Sequence, residues 1–386
     1  MQRFRQFLRT GLLLGFFTCL LVGCGDKDNT PTPMPLAKIA PSSVAVKVLW
    51  SHSVNDGADG NDVTLGPAIA GNHLVVVSAK GEVNMLSRIS GKILWSKDLD
   101  VMLSTTPCMV DGRIFIGTIN GDVYALSAKD GHILWQSQVP GSLLAAPASN
   151  GSIVVLHEHD GDVTALKASS GSRLWQYDGH APQLTLQLGS SPVIIGQQVV
   201  VGFANGQLMA FNLTSGHVIW QRPIALPSGG TPVANMVDID ATPIYANGMI
   251  YAVTYHGNAV AISISGKLMW QQKMSSFSNM AIAPNVLFIT DETGAVFALS
   301  TQSGRILWQQ PKFKYRFISA PAYLHGMVIV GDYQGYIHWL SGANGEALAR
   351  TEIGEGAINA QPVIADGIVY VVTSEGQVAA LKPLGH

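Results

Sequence analysis

The sequence predicts an all-β fold, an eight-bladed β-propeller, and three observations carry that prediction. Glycine returns at one kind of turn eight times with a spacing near 40 residues, at Gly81, Gly121, Gly161, Gly206, Gly257, Gly294, Gly335 and Gly376. A second turn glycine returns seven times, at Gly91, Gly131, Gly171, Gly216, Gly266, Gly304 and Gly345, with a Trp four residues beyond six of them. A repeat of that length with four short strands per unit marks a propeller blade. Composition points the same way. Charged residues make up 12% of the chain against a usual ~25%. Gly accounts for 41 of 386 residues, which suits strands joined by tight turns and disfavours long solvent-facing helices. A hydrophobic content of 47% excludes a disordered chain, and a net charge of −2 leaves no electrostatic footprint for nucleic acid.

The chain opens with a different kind of segment. Met1–Thr10 carries Arg3, Arg5 and Arg9 and no acid, and Gly11–Gly23 is an uncharged, mostly apolar run of thirteen residues. That run is too short to span a hydrocarbon core of ~30 Å, and a basic stretch before a short apolar core reads as a secretory signal. It ends at Leu21-Val22-Gly23-Cys24, which resembles the bacterial lipobox. The resemblance implies cleavage before Cys24 and acylation of that residue. Each buried CH₂ contributes about 0.8 kcal/mol, so several acyl chains anchor a protein firmly. Gly25 rather than Asp follows the cysteine, with Asp26 one place later, which favours the outer membrane. Cys19 leaves with the signal and Cys24 carries lipid, so Cys108 stands alone and no intrachain disulfide can form. Loss of residues 1–23 removes three Arg and no acid, leaving 20 basic and 25 acidic residues and a net charge of −5. Residues 24–43 form a polar tether punctuated by Pro31, Pro33, Pro35 and Pro41.

The propeller is expected over 44–386. Gly112–Trp135 and Gly151–Trp175 both read as strand, turn, strand, turn, strand. The first turn is Asn120-Gly121 or Asp160-Gly161, a dipeptide that fits a type I′ hairpin, and the strands alternate with period two. A further strand precedes each unit, marked by Pro107, Pro147, Pro192, Pro243, Pro321 and Pro362. A large aromatic at one register in every unit packs between neighbouring sheets; in the seventh unit Ala349 takes its place. The eighth unit lacks a last strand, and Lys47-Val48-Leu49-Trp50 copies Lys92-Ile93-Leu94-Trp95 with no complete unit before it. The N-terminal strand is therefore expected to complete the last blade and close the ring, which removes an open sheet edge.

Departures from the period locate the candidate site, because binding residues gather in loops on a rigid scaffold. From each Trp to the next first-turn Gly the standard interval is 26 residues, but it is 31 from Trp50, 31 from Trp175 and 37 from Trp220. All three insertions fall in the connection from an outer strand to the next blade, on one face of the disc. Two are adjacent, Gln176–Ser190 and Gln221–Asp240. The first holds Leu184-Thr185-Leu186-Gln187-Leu188; the second holds Leu226-Pro227-Ser228-Gly229-Gly230 and Asp238-Ile239-Asp240. Exposed Leu beside fixed carboxylates is the make-up of a protein-docking patch. Leu residues folded over the blade edge, with Asp residues capping turns, is the alternative.

Other chemistry is set aside, and neither a metal nor a cofactor is expected. In His157-Glu158-His159-Asp160-Gly161-Asp162 the two His share a strand face, Glu158 points away, and Asp160-Gly161 occupies the hairpin turn of the other blades. Asn55-Asp56-Gly57-Ala58-Asp59-Gly60-Asn61-Asp62 fails the EF-hand pattern, because the twelfth position from Asp56 is Pro67. Nucleophile-elbow, zincin, P-loop and dinucleotide fingerprints do not occur.

The unit Tyr124-Ala125-Leu126 through Gly131-His132-Ile133-Leu134-Trp135 resembles the repeat of quinoprotein (PQQ-type, WD40-like) propellers, a repeat shared by dehydrogenases and non-enzymatic relatives. The dehydrogenases are generally longer and often carry a vicinal Cys pair, which this chain lacks, so a quinone enzyme is the alternative, alongside another envelope-binding propeller. The closer resemblance is to the BamB family, the propeller lipoproteins of the outer-membrane β-barrel assembly machinery. Pro182-Gln183-Leu184-Thr185-Leu186 is similar to that family's Pro-x-Leu-Ser-Leu-Arg loop, and Asp238-Ile239-Asp240-Ala241-Thr242-Pro243 to its Asp-Val-Asp-Thr-Thr-Pro. Glu355–Pro362 and Gly331–Trp339 resemble further family segments. The resemblance implies a lipid-anchored, periplasm-facing, non-catalytic scaffold. Its two loops would dock the periplasmic POTRA domains of BamA, and it would aid the assembly of unfolded outer-membrane proteins. Leu184 and Leu186 would be apolar anchors, with Thr185 between them, and Asp238 and Asp240 would pair or shape an acidic edge. The family's Arg falls at Gln187, where a charge-assisted contact is lost.

Overall fold

The computed structural model describes residues 32–36, 38–39, 44–61, 63–186 and 188–384; the signal segment, Cys24 and Gln187 lie outside the described residues. Within them the chain forms eight four-stranded antiparallel sheets. In the second blade the strands are Cys108–Val110, Arg113–Gly117, Asp122–Ser127 and Ile133–Gln138. The innermost strand is a stub of two or three residues, and in six blades it begins directly after the proline that marked it in the sequence. Proline can stand there because its missing N–H falls outside the ladder. Innermost strands of successive blades touch all the way round, and the eighth touches the first.

The eighth blade is completed from the other end of the chain. Ala45–Ser53 pairs antiparallel with Gln377–Leu384, from Ala45 opposite Leu384 to Ser53 opposite Gln377. The ring is thus fastened by the expected pairing of the two ends.

The Trp and the second-turn Gly prove to be two halves of one joint. The ring of Trp135 lies against Gly171 of the next blade, where a Cβ would stand 2.5 Å from the indole. Its Nε1 donates to Ala168 O at 2.9 Å. The same Trp–Gly contact joins Trp50 to Gly91, Trp95 to Gly131, Trp175 to Gly216, Trp220 to Gly266, Trp270 to Gly304 and Trp308 to Gly345. Each outer strand reaches that register through a bulge just before the Trp, so Leu134 and its counterparts are left facing solvent. Ala349 is explained by its cross-strand partner. Elsewhere the Trp usually faces Ala, as Trp135 faces Ala125, but Ala349 faces Trp339, which is fully buried. Large and small have exchanged strands at constant volume.

The first turn differs from the expected type I′ hairpin. Thr118 N–H donates to Asp122 O and Gly121 N–H to Thr118 O, while Gly121 (φ 84) takes the left-handed conformation and Asn120 does not. This is a three-residue loop, a type I turn closed by a glycine bulge. Blade five breaks even that rule, since His256 (φ 50) is left-handed there and Gly257 is not.

Candidate functional site

The two enlarged connections lie side by side. The first, 178–192, leads from the outer strand of blade three, Arg173–Tyr177, to blade four; the second, 224–243, leads from Val218–Pro223 to blade five. The second loop holds its own shape. Asn235 Oδ1 accepts Gly229 N–H at 2.8 Å, Thr231 Oγ1 accepts Ala234 N–H at 3.2 Å, and Val233–Asn235 forms a 3-10 turn. The knob so made lifts Leu226 and Val233 into solvent, Leu226 at 69% exposure. On the first loop Leu184 is 42% exposed, whereas Leu186 and Leu188 are half-buried. Thr185 Oγ1 stands 3.4 Å from His159 Nε2.

What joins the loops is Asp238, whose Oδ1 accepts Leu186 N–H at 3.2 Å. Ser190 Oγ donates to Ala241 O at 3.2 Å, a second tie between them. The base is nailed to the blades: Ile239 N–H donates to Phe203 O, and Tyr255 N–H donates to Asp238 O at 2.8 Å. The Tyr255 bond falls in the blade-five turn that departs from the repeat.

The expected acidic edge is not there. Asp238 is fully buried and Asp240 is 8% exposed, so neither presents a carboxylate on the surface. The backbone of 238–241 threads between blades four and five, and Ile239 plugs the space above Gly202, where a Cβ would meet Ile239 Cγ2 at 2.3 Å. Alternation along an extended segment turns the flanking carboxylates away from Ile239, yet the loop above still covers them. Burial, only partly offset by the Leu186 amide, raises the Asp238 carboxyl to about 6. Burial, and then the neighbouring Asp238, lifts Asp240 well above the usual carboxylate range. One oxygen of each, Oδ2, has no hydrogen-bond partner among the described residues. The pair shapes the two loops from beneath.

Under the first loop is a cavity of about 20 Å³, lined in part by His157, Glu158, His180, Leu186 and Asp240. It has room for a water and none for an organic ligand. His157 Nδ1 lies 3.0 Å from Ser190 O, and burial pushes its pKa down to about 4, so the ring is neutral near pH 7. Glu158, Asp160 and Asp162 bring carboxylate oxygens within 4.8 Å of one another. Turn and strand donors occupy them: Gly141 N–H and Thr164 Oγ1 at Glu158, Gly179 N–H and the Gln176 amide at Asp162. The third insertion packs across the ring closure. Ala58 N–H donates to Ser374 O, and Lys80 bridges Asp56 and Asp59 at 2.8 and 3.1 Å.

Sequence reasoning missed Ser190, Ile239, Val233 and Tyr255. A signal for Ile239 did exist, since Gly117, Gly202 and Gly331 each end a second strand and each admits an apolar side chain from a connection, Leu143, Ile239 and Ile358 respectively.

Comparison with known proteins places this geometry. The family model described as "Outer membrane protein assembly factor BamB" matches residues 45–116 and 79–310. The assembly factor BamB of Legionella pneumophila (strain Paris) is 44% identical over 358 residues, covering 92% of this chain and 93% of that protein. BamB of Pseudomonas aeruginosa is 40% identical over 361 residues, covering 93% and 95%. Among solved structures, BamB from Moraxella catarrhalis superposes with a TM-score of 0.81 at 23% identity, over 88% of this chain and all of that one. With its eight blades and both enlarged connections in place, the chain belongs to the BamB family of outer membrane protein assembly factors.

Proposed function

We propose that this propeller docks the POTRA domains of BamA through Leu184 and Leu186, on a surface shaped by Thr185, Gln187, Asp238 and Asp240, and is held at the periplasmic face of the outer membrane by acylated Cys24. As a BamB-family protein it is an assembly factor of the BAM complex, a non-catalytic scaffold for building outer-membrane proteins. The quinone-enzyme alternative falls with that membership.

The observation that carries the docking reading is the joint itself. Two adjacent insertions, tied by the Leu186–Asp238 hydrogen bond, hold apolar side chains in solvent on a rigid base. Ordered exposed Leu on a scaffold that does not yield is how a hot-spot patch is built. Asp238 and Asp240 support it by position, not by contact.

The test is recovery of BamA with the Leu184→Ala/Leu186→Ala protein. The expected result is loss of most recovery, and the single Leu184→Ala protein, altered only at an exposed side chain, is expected to lose recovery too while keeping its unfolding midpoint nearly unchanged. Full recovery would remove the site assignment. Cys24→Ser is expected to release the protein from membranes into the soluble periplasm; a substituted protein that stayed membrane-bound would refute lipid anchoring.

A further inference from the structure

Another part of the same face carries aromatic side chains that the docking site does not use. The connection between blades six and seven presents Tyr315 and Phe317 to solvent, Phe317 at 78% exposure. Both residues are left-handed, with φ of 60 and 47, a conformation that non-glycine residues rarely take. Arg316 between them turns inward and is buried. Its Nε and Nη2 donate to Asp332 Oδ2 at 3.0 and 2.6 Å, and His338 Nε2 lies 2.8 Å from the same oxygen. Tyr333 lies under the guanidinium at 5.2 Å and meets Phe317 edge-on at 6.3 Å. The buried ion pair rivets the loop, and its two aromatic neighbours are thereby held outward. Gly331–Trp339, a segment the docking site leaves unused, supplies Asp332, Tyr333 and His338.

The same arginine also grips the tether. Arg316 Nη1 donates to Met34 O at 3.1 Å, and Met34 N–H donates to Lys314 O at 3.1 Å. The chain therefore leaves the propeller beside this loop, with the Met34 side chain itself exposed. Ten residues separate Cys24 from Met34, and they can span at most about 36 Å. Lys312 and Lys314 flank the loop and take part in no ion pair among the described residues.

Resting on the reading that Cys24 carries the lipid, we propose that the Tyr315–Phe317 loop, with Met34 and Tyr333, is a membrane contact. Its rings would sit at headgroup level, with Lys312 and Lys314 on anionic lipid phosphates. Aromatic rings with lysines beside them favour that interface, and anionic leaflets attract nearby basic residues. What selects a bilayer over a protein partner is the tether, which keeps the membrane within reach of this loop in particular.

The test places an environment-sensitive fluorophore at Phe317→Cys, or at Ile89→Cys in a turn of the opposite face, in the otherwise complete mature chain with Cys24→Ser and Cys108→Ser. An N-terminal hexahistidine tag holds the protein on phosphatidylethanolamine–phosphatidylglycerol vesicles containing nickel-chelating lipid, so the outcome does not depend on acylation. Flotation of the natural acylated protein judges the anchor separately. Quenching by headgroup spin-labelled lipid is expected to be at least about three-fold greater at position 317 than at 89. Met34→Pro removes the amide that Lys314 O accepts without touching the blades, and is expected to lower that quenching. Equal quenching at the two positions would overturn the proposal. So would a Phe317→Ser protein that lost BamA recovery while the label at 317 stayed unquenched, since the loop would then be a protein contact.

Discussion

Asp238→Asn is expected to leave BamA recovery intact and to flatten the pH dependence of stability, whereas Asp238→Ala is expected to damage the site. Asp238 is fully buried, its Oδ1 accepts the Leu186 amide at 3.2 Å, and its Oδ2 has no partner among the described residues. Asn keeps the acceptor and carries no charge; Ala keeps neither. Burial raises the carboxyl from 3.8 to about 6. A carboxyl whose pKa is higher in the folded state stabilises the fold while protonated. That contribution is fully present below about pH 4 and is lost as pH rises through about 6. At about 1.4 kcal/mol for each pH unit the interval amounts to about 3 kcal/mol, an upper figure shared with Asp240, which titrates beside it. Asp238→Asn should therefore match the natural protein near pH 4 and exceed it above pH 6 by no more than about 3 kcal/mol. Asp238→Ala leaves the Leu186 N–H unsatisfied, a loss of about 1–3 kcal/mol. The assay is urea unfolding of the three proteins at about pH 4.5, 6 and 7.5, with hydrogen exchange at the Leu186 amide and BamA recovery at the highest pH. If Asp238→Asn lost recovery as completely as Asp238→Ala while gaining stability as expected, the carboxylate would act on the partner through its charge, and the loop-shaping account would be wrong.

Two further outcomes test the scaffold. Gly171→Ala would put a Cβ 2.5 Å from the Trp135 ring at a left-handed φ of 71. The expected loss is about 2–4 kcal/mol, falling to about 1 in a Trp135→Ala background, where only the backbone penalty survives. Equal losses in both backgrounds, measured by urea unfolding, would mean that the glycine serves its own conformation alone. Cys108 is pushed up to about 11 by burial, so its alkylation by iodoacetamide near pH 8 should run at least about ten-fold slower in the folded protein than in urea. Similar rates would refute that burial.

The blade count and the closing strand were legible because each rests on a local signal repeated many times. Seven Trp–Gly joints leave a turn glycine followed four residues later by Trp six times over, and a Lys-x-Leu-Trp strand without its unit can only complete one. Ala349 looked like a failure of the repeat and was a swap with Trp339, invisible to a pattern that follows one strand at a time. The hairpin type was misread because Asn-Gly and Asp-Gly suit two turn geometries, and the number of residues between hydrogen-bonded partners decides which one forms. The site was legible as position, not as environment. Counting found the two loops, but the count says nothing of what covers a side chain. Asp238 and Asp240 look like surface carboxylates in a polar loop and are buried because Ile239 between them must fill the space over Gly202.

That burial bears on why the site stands where it does. Two carboxyls, each with an oxygen unpartnered among the described residues, are expensive to keep inside a protein, and nothing in the ring's geometry calls for them. The neighbouring blade-five turn likewise gives up the conformation of its seven counterparts, placing His256 rather than Gly257 in the left-handed region. The buried acids and this altered turn adjoin one another, since Tyr255 N–H donates to Asp238 O. Departures from local rules that meet in this way are expected where a surface has been shaped for use. A loop held only by apolar packing could slide along the blade. One hydrogen-bonded to a buried acid cannot move without exposing that acid's bond to Leu186, so the exposed leucines keep one position relative to the propeller. Such preorganisation lowers the ordering penalty on binding, and it would account for an uncomfortable interior beneath the proposed docking face.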